Sequence, residues 1–295
     1  MSWIQLRINT NASIAEKLGD FLFEQTDVHS ITYLDAKDTP IFEPLPGETL
    51  LWSETDVLAL YDANTNTSEL IELIRASKIL QSSFQYKIEI LEDKDWIREW
   101  MDSFVPLELK NNLWIIPSWH SAPETNSTNI FLDPGLAFGT GTHATTQLCL
   151  NWLSSQNLQD KLIIDFGCGS GILAIAALKL GAKKVIGIDI DPQALQASRA
   201  NAKKNQVEEN FDLYLPKDLP ENITADVLIA NILAEPLRAL SQQIIGMVKL
   251  DGNLGLSGIL DTQVGNIKTY YTDNICFDKP DKQGEWVLLS GKKYK

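Results

Sequence analysis

The sequence predicts an α/β protein in which a doubly wound parallel sheet follows a smaller α+β domain. The chain has 295 residues, 44% of them hydrophobic and 22% charged, which is typical of a soluble protein with about two domains. From about residue 130 onward, strand-like apolar runs alternate with helix-like segments, and this alternation predicts parallel strands joined by helices. Glycine marks the same division, because 15 of the 17 glycines lie at Gly135 or later.

Residues 1–92 predict the order β-α-β-β-α-β, which is the ferredoxin-like pattern. Ser13 is the predicted N-cap of the first helix, with Glu16 three residues further on. The predicted strands are Trp3–Ile8, Ser30–Asp35, Thr49–Tyr61 and Phe84–Leu91, and the predicted helices are Ser13–Gln25 and Thr67–Leu80.

Residues 93–122 are rich in tryptophan and are predicted to link the two domains. They contain four of the eight tryptophans, namely Trp96, Trp100, Trp114 and Trp119. Trp96 and Trp100 share one face of a helix predicted over Asp95–Asp102. The tryptophans either pack the two domains together or line a substrate channel, and we favour the packing role.

Residues 123–295 form the predicted α/β domain. One helix has clear start signals, since Asp191 suits the N-cap and Pro192 suits the first helical position. The predicted strands are Leu162–Phe166, Lys184–Ile190, Phe211–Leu215, Val227–Asn231, Asn253–Ile259, Thr272–Phe277 and Trp286–Ser290. The predicted helices are Ile172–Leu180, Pro192–Asn205, Glu235–Lys249 and Thr262–Tyr270, and the last two strands are expected to add an antiparallel edge.

Composition argues against several classes of protein. The formal net charge of −14 disfavours duplex nucleic acid as the main partner, because binding to phosphates needs a basic surface. The apolar run Ile172–Leu178 ends at Lys179, far short of the roughly 18 residues that a membrane span needs. Three scattered cysteines fit a reducing cytoplasm, and three histidines with no ligand-like spacing predict no metal site.

The motif with the most chemical content is Asp165-Phe-Gly-Cys-Gly-Ser-Gly171, which lies between a predicted strand and a predicted helix. Gly167 and Gly169 allow the backbone to turn sharply and to approach a ligand closely, because they lack a Cβ. Asp189 ends the next strand, where a carboxylate can accept hydrogen bonds from both hydroxyls of a ribose. Together these residues predict a nucleoside site at the carboxyl edge of the sheet.

The spacing of this motif indicates which nucleoside is bound. The dinucleotide fingerprint is G-x-G-x-x-G, whereas this loop reads G-x-G-x-G with Asp165 two residues before its first glycine. An acid at that position repels a pyrophosphate and suits the positive charge of S-adenosylmethionine, which we therefore expect as the cofactor. The alternative for the loop taken alone is a tight turn without a ligand.

Two further segments are candidates for the site. Asn231 ends a predicted strand, where its carbonyl can accept a hydrogen bond from a substrate amine, and the alternative is a cap for the following helix. The glycine- and threonine-rich segment Leu132–Thr146 is predicted to be a lid that runs into a helix near Thr145. Within it we assign His143 a structural role, because the sequence shows no acid or metal partner for a base.

Several segments of the chain resemble the PrmA family of bacterial methyltransferases, which modify protein eleven of the large ribosomal subunit. The matching segments are Leu132–Thr146, Ile164–Ala174, Gly187–Pro192, Ala230–Ala234, Glu92–Trp96 with Trp100, and Trp114–Trp119. The resemblance therefore covers essentially the whole chain. The glycine loop is shared with many methyltransferases, but Phe138–His143 combined with Asn231 is far more specific.

The resemblance implies a role for each segment. Residues 1–92 would recognise the ribosomal protein, residues 93–122 would be a linker, and residues 123–295 would be a Rossmann-like, seven-stranded methyltransferase domain. It also implies methylation of an α-amine and of lysine ε-amines. The family's cofactor contacts fall on Thr146, Gly167, Asp189 and Asn231, to which the glycine motif adds Gly169. Asn231 is also the candidate catalytic residue, which would orient the amine.

The charge of the first 92 residues supports a basic ribosomal protein as the partner. They contain 15 acidic and 6 basic side chains, a large part of the excess negative charge. An acidic surface steers a basic protein toward it. We expect a cytoplasmic monomer that binds neither duplex nucleic acid nor membrane. The alternatives are a ribosomal RNA methyltransferase, an NAD-dependent oxidoreductase, and a binding module without catalysis.

Overall fold

The computed structural model describes residues 2–37, 50–80, 83–91, 104–123, 126–133 and 141–295. The chain divides into two compact units, Met1–Met101 and Asp102–Lys295. Among the described residues, no helix has both the length and the apolar character that crossing a membrane requires.

The first unit has the ferredoxin-like order that the sequence predicts. Its elements are β1 (Trp3–Thr10), α1 (Ala12–Gln25), β2 (Ser30–Asp35), β3 (Thr55–Asp62), α2 (Thr67–Ser77) and β4 (Tyr86–Leu91). The four strands form an antiparallel sheet in the order β2-β3-β1-β4. Alternate residues of β1 such as Leu6 and Ile8 are buried in one core with Leu18 and Leu22 of α1, which fixes the face that the helices cover.

Two predicted details of this unit are wrong. The N-cap of α1 is Asn11, whose Oδ1 accepts a hydrogen bond from the Ile14 amide, while the Ser13 hydroxyl donates to the same oxygen. The third strand begins at Thr55 rather than at Thr49, which lies outside the described residues. Strand β3 begins at Thr55 because Thr55 pairs with Thr10, the last residue of β1. Residues before Thr55 therefore have no partner in β1.

The second unit begins with a small sheet in a segment that the sequence predicts to be a linker. Strands β5 (Leu107–Leu109), β6 (Leu113–Ile116) and β7 (Thr128–Phe131) pair in the order β5-β6-β7. The described part of 93–122 therefore includes two strands. Leu113 and Ile115 of β6 are buried in a core of the second unit, which stabilises this small sheet. The predicted helix Asp95–Asp102 lies outside the described residues, as do its two tryptophans.

The remainder of the second unit is a layered α/β fold. Its helices are α3 (Ala144–Ser155), α4 (Ile172–Lys179), α5 (Pro192–Lys204), α6 (Ala234–Ala239), α7 (Ser241–Gly246) and α8 (Val264–Thr269). Its strands are β8 (Leu162–Phe166), β9 (Lys184–Ile188), β10 (Phe211–Tyr214), β11 (Ala225–Asn231), β12 (Val248–Leu260), β13 (Ile275–Phe277), β14 (Asp281–Gln283) and β15 (Trp286–Lys293). Neighbouring residues of β8, Ile163 and Ile164, belong to two different cores, so both faces of the sheet are covered.

The sheet confirms the predicted architecture. Seven strands follow one another in the order β10-β9-β8-β11-β12-β15-β13, and β14 adds a short eighth strand on β15. The first five strands are parallel, and β15 runs antiparallel to both β12 and β13. The order along the sheet reverses between β8 and β11, and a ligand of an open parallel sheet binds at such a point.

One prediction for this unit is wrong, namely a single continuous helix over Glu235–Lys249. The chain instead forms α6 and α7, which meet at Leu240. The last predicted turn is lost because Val248 pairs with Ala225 of β11, so the backbone there belongs to the sheet. The helix start at Asp191 and Pro192 is confirmed, and the Asp191 side chain accepts a hydrogen bond from the Gln193 amide at 2.8 Å.

Candidate active site

Three neighbouring parallel strands bring the candidate residues to one edge. Strands β9, β8 and β11 are adjacent, and their carboxyl ends lead into Asp189, the glycine loop and Asn231. This edge is where ligands of doubly wound sheets bind. The topology therefore accounts for why residues far apart in sequence share one site.

The glycine loop has a backbone that its neighbours hold closely. Gly167 and Gly169 have φ values of 78° and 54°, in the left-handed region that favours glycine. The amide of Gly167 donates to the Ile188 carbonyl at 2.7 Å. A Cβ on Gly167 would overlap the side chain of Ile232, which directly follows Asn231. A Cβ on Gly258 would overlap the backbone of the same Ile232, so this residue is packed between two glycines.

Two polar residues of α5 also hold the loop, and the sequence analysis missed both. The Ser198 hydroxyl donates to the Gly169 carbonyl at 2.9 Å, and the Asn201 side chain donates to the Ser170 carbonyl at 2.9 Å. These two side chains therefore satisfy two backbone carbonyls of the loop and fix it against α5. The sequence offered one signal for their shared role, because residues three apart lie on the same face of a helix.

The structure brings Asp189 and Gly169 together. Asp189 Oδ2 accepts the Gly169 amide at 2.9 Å, and Oδ1 accepts the Asp191 amide at 3.0 Å. A carboxylate has roughly four acceptor positions, so about two remain for a ligand. Ile190, which the sequence analysis placed inside a strand, lies beyond the end of β9 and is 83% exposed. A large aliphatic side chain in solvent beside this carboxylate is suited to cover one face of a nucleobase.

Asp165 lies beneath the loop and is fully buried. Its Oδ2 accepts the Ala174 amide of α4 at 3.1 Å, whereas Oδ1 has no hydrogen-bond partner among the described residues. Burial, together with the negative charge of Asp189, raises the pKa of the Asp165 carboxyl to about 7, and the Ala174 amide opposes this shift. Since it has no solvent-exposed surface, its charge acts on the loop through the protein rather than by direct contact.

The structure also brings Asn231 and Thr146 together. Asn231 Nδ2 donates to the Thr146 hydroxyl at 3.4 Å, and Thr146 is 1% exposed in the first turn of α3. With Nδ2 engaged, Asn231 Oδ1 is the atom suited to accept a hydrogen bond from an amine. The helix-cap alternative is wrong, because the N-cap of α6 is Leu233.

The predicted lid is described only at its ends, since residues 134–140 lie outside the described part of the chain. At its carboxyl end, His143 is the N-cap of α3, and its Nδ1 accepts the Thr145 amide at 3.3 Å. Its ring packs edge-on against Trp286 with centroids 4.9 Å apart, and burial lowers the pKa of His143. These contacts support the structural role that the sequence predicts for this histidine.

The fold and the site define a class of protein. Five parallel strands followed by an antiparallel pair, with a glycine loop after β8 and an aspartate carboxylate after β9, are typical of a Rossmann-like protein that binds a nucleoside. The amide of Asn231 lies at the neighbouring strand end.

Comparison with known proteins identifies the family. A family model described as ribosomal protein L11 methyltransferase (PrmA) matches residues 2–294. Proteins named ribosomal protein L11 methyltransferase from Aliivibrio salmonicida and Vibrio vulnificus are 59% and 58% identical over 293 residues, which is 99% of this chain and 100% and 99% of theirs. The chain therefore belongs to the PrmA family of ribosomal protein L11 methyltransferases.

A solved structure supports the same family. The crystal structure of ribosomal protein L11 methylase from Lactobacillus delbrueckii subsp. bulgaricus is 33% identical, with a TM-score of 0.58. The match covers 65% of this chain and 100% of the Lactobacillus chain. Membership of this methyltransferase family argues against the oxidoreductase alternative, in agreement with the loop spacing.

Proposed function

We propose that this protein transfers methyl groups from S-adenosylmethionine to the α-amine and lysine ε-amines of ribosomal protein L11. The names of its relatives suggest L11 as the acceptor. The observation that carries the proposal is the presence of two residue pairs at one sheet edge. Gly169 with Asp189 suits the nucleoside, and Thr146 with Asn231 suits the amine.

The residues around the glycine loop fit this cofactor. Asp189 retains acceptor positions for the ribose hydroxyls, and the exposed side chain of Ile190 is placed to cover the adenine. Asp165, with an unpartnered buried oxygen, favours a cationic group above the loop. When bound, S-adenosylmethionine supplies an electrophilic methyl group, and the chain itself supplies the geometry.

The amine must arrive uncharged with its lone pair directed at the methyl group. An unperturbed lysine has a pKa of about 10.4, so most of it is protonated at neutral pH. Transfer into a buried site lowers that pKa, because desolvation disfavours the cation. Asn231 Oδ1 then accepts one N–H and orients the lone pair, and we attribute the rate to orientation and proximity.

We further propose that residues 1–92 recognise the ribosomal protein before transfer and that residues 93–122, whose described part belongs to the second unit, lead from this domain into 123–295. The excess of acidic side chains in 1–92 supports a basic partner and disfavours duplex nucleic acid. We also propose a cytoplasmic location, which a ribosomal protein substrate supports. We propose in addition that the enzyme is a monomer.

Methyl transfer to separated acceptors tests this function. Radiolabelled S-adenosylmethionine is incubated with the enzyme and either purified L11 or ribosomal RNA, and label is expected in L11 alone. Label in RNA would contradict the proposal and support the RNA alternative.

A variant tests the assignment of Asn231. Asn231→Ala is expected to lower kcat on the order of a hundredfold, as loss of one well-placed polar group does in other enzymes. The matched control is Asn266→Ala, which removes an exposed asparagine that pairs with Arg238 at 3.1 Å. Full turnover by Asn231→Ala at saturating substrates would rule out its role.

A further inference from the structure

The side chain of Gln147 on α3 connects two parts of the second unit. Its Nε2 donates to the Thr142 carbonyl at 2.9 Å, and its Oε1 accepts from Gln283 Nε2 at 2.9 Å. A backbone carbonyl only accepts, so Nε2 must face Thr142, and Gln283 must then be the donor to Oε1. The Thr142 carbonyl and the Gln283 side chain therefore hold the two ends of the Gln147 amide and together fix which way it is turned.

A cleft of about 240 Å³ is lined by the polar residues Thr142 and Gln147 and by the apolar residues Phe104, Val105, Pro106 and Leu107. A primary aliphatic amine has a matching shape, because its methylene stem is apolar and its head has N–H donors. The cleft opens beside the first turn of α3, which also carries Thr146, the partner of Asn231.

Gln283 is supplied by the β14–β15 hairpin, which contacts the start of α3 at a second point. Gln283 pairs with Trp286 across the hairpin, and the Trp286 ring packs against His143, the N-cap of α3. Two contacts fix the hairpin against the helix, so the Gln283 amide is held at a defined position relative to the cleft.

We propose that this cleft receives the aliphatic side chain of the substrate lysine and that Gln283 is a positioning residue, which acts through Gln147. Gln147 Oε1 can accept two hydrogen bonds, so beside the one from Gln283 it presents an acceptor position to the amine as it enters, and Gln283 holds this oxygen in place. This inference rests on the proposed function and assigns a substrate subsite and a positioning residue to it.

Steady-state kinetics of the full-length enzyme with L11 tests the inference. Gln147→Ala and Gln283→Ala are each expected to raise KM for L11 about fivefold, the effect of one lost hydrogen bond, with kcat within about twofold. The affinity for S-adenosylmethionine, measured by calorimetry, is expected to stay unchanged. The double variant is expected to match Gln147→Ala, because Gln283 acts only through that residue.

Two further variants separate the hydrogen bond from packing and from general effects. Gln283→Glu preserves the volume but has no N–H to donate, so it is expected to raise KM as Gln283→Ala does. Gln156→Ala is the matched control, because Gln156 Oε1 accepts from Asn253 Nδ2 at 3.0 Å at the other end of α3. Its KM and kcat are expected to equal those of the unmodified enzyme.

The outcomes distinguish this inference from the proposed function. If the unmodified enzyme methylates L11 but both Gln283 variants retain its KM, the positioning role is wrong and the proposed function stands. A lower kcat with a lower melting temperature and an unchanged KM would indicate a purely structural role and would also overturn it. If the unmodified enzyme transfers no methyl group to L11, the proposed function fails and this inference fails with it.

Discussion

Asp56 and Asp165 are both buried carboxylates, one in each unit, and their surroundings are opposite. Asp56 on β3 accepts from Arg7 Nε at 2.8 Å and from Asn9 Nδ2 at 2.8 Å, so both oxygens are paired. Asp165 receives one backbone amide and no cation, and its second oxygen is unpartnered among the described residues. The partners of Asp56 therefore lie within its own unit, whereas the ionised form of Asp165 has no cation beside it among the described residues.

This difference separates a structural acid from a functional one. A buried carboxylate paired with arginine is explained by the fold that contains it. A buried carboxylate with a raised pKa at the ligand edge of a sheet indicates a functional site. Asp56 in the first unit and Asp165 in the second thus differ in whether the protein itself supplies a cation.

The largest expected effect concerns a carboxylate that is open to a ligand. Asp189→Ala is expected to weaken S-adenosylmethionine binding on the order of a hundredfold, because hydrogen bonds to a charged group are lost. Calorimetric titration measures this affinity. Asp56→Ala is the control in the other unit, with unchanged affinity expected, and an equal loss in both variants would remove the distinction between the two acids.

The next effect is on stability of the first unit. Asp56→Ala is expected to lower the free energy of unfolding by about 1–2 kcal/mol, a value reduced for the exposure of its partner. The Arg7 side chain is 40% exposed and can be solvated once the carboxylate is gone. Urea unfolding measures the change. The surface pair of Asp212 with Lys184 provides the control, since Asp212→Ala should cost less than about 0.5 kcal/mol.

A smaller effect is expected when the salt concentration rises, and it should differ between L11 association and cofactor binding. If the acidic first unit steers a basic protein, the association rate with L11 is expected to fall several-fold as salt rises from low to physiological concentration. Stopped-flow fluorescence measures this rate. Binding of S-adenosylmethionine, which is local to the second unit, should change much less, and an association rate independent of salt would contradict the steering.

The smallest effect on ligand affinity is a pH dependence centred on Asp165. Its folded-state pKa of about 7 exceeds the ordinary value of 3.8, so its stabilising contribution is full below about pH 4 and is lost as the pH rises through 7. A cation above the loop favours the ionised carboxylate, so affinity for S-adenosylmethionine should rise two- to threefold over the upper part of that range.

Asp165→Asn should remove both trends, because the amide does not titrate. Melting temperature and calorimetric affinity, each measured from pH 5 to pH 8, check the two signs. Unchanged slopes in this variant would assign the pH dependence to another group.

The sequence predicted those parts of the structure that local patterns determine. The cap at Asp191 and Pro192 depends on neighbouring residues, and parallel strands necessarily bring Asp189 and Asn231 to one edge. The paired helices α6 and α7 were missed because the partner of Val248 is a strand residue 23 positions earlier, Ala225, which no helical periodicity reveals.

Other features depend on contacts between distant segments. The Gln147–Gln283 hydrogen bond joins residues 136 positions apart, and strands β5 and β6 are stabilised by a core assembled from the whole second unit. Neither glutamine belongs to a recognisable motif. Such contacts follow only once the fold is known, which is why the cleft was not predicted.

Ile232 lies between Gly167 of the glycine loop and Gly258 of β12, so it links the two segments. Its side chain lies against the cofactor loop, its backbone lies against β12, and its preceding neighbour is Asn231. A methyl group added at Gly258 would overlap the Ile232 backbone, so Gly258→Ala is expected to displace Ile232 and, through the peptide bond, its neighbour Asn231. A substitution on β12 would in this way disturb the proposed amine site without contacting a ligand.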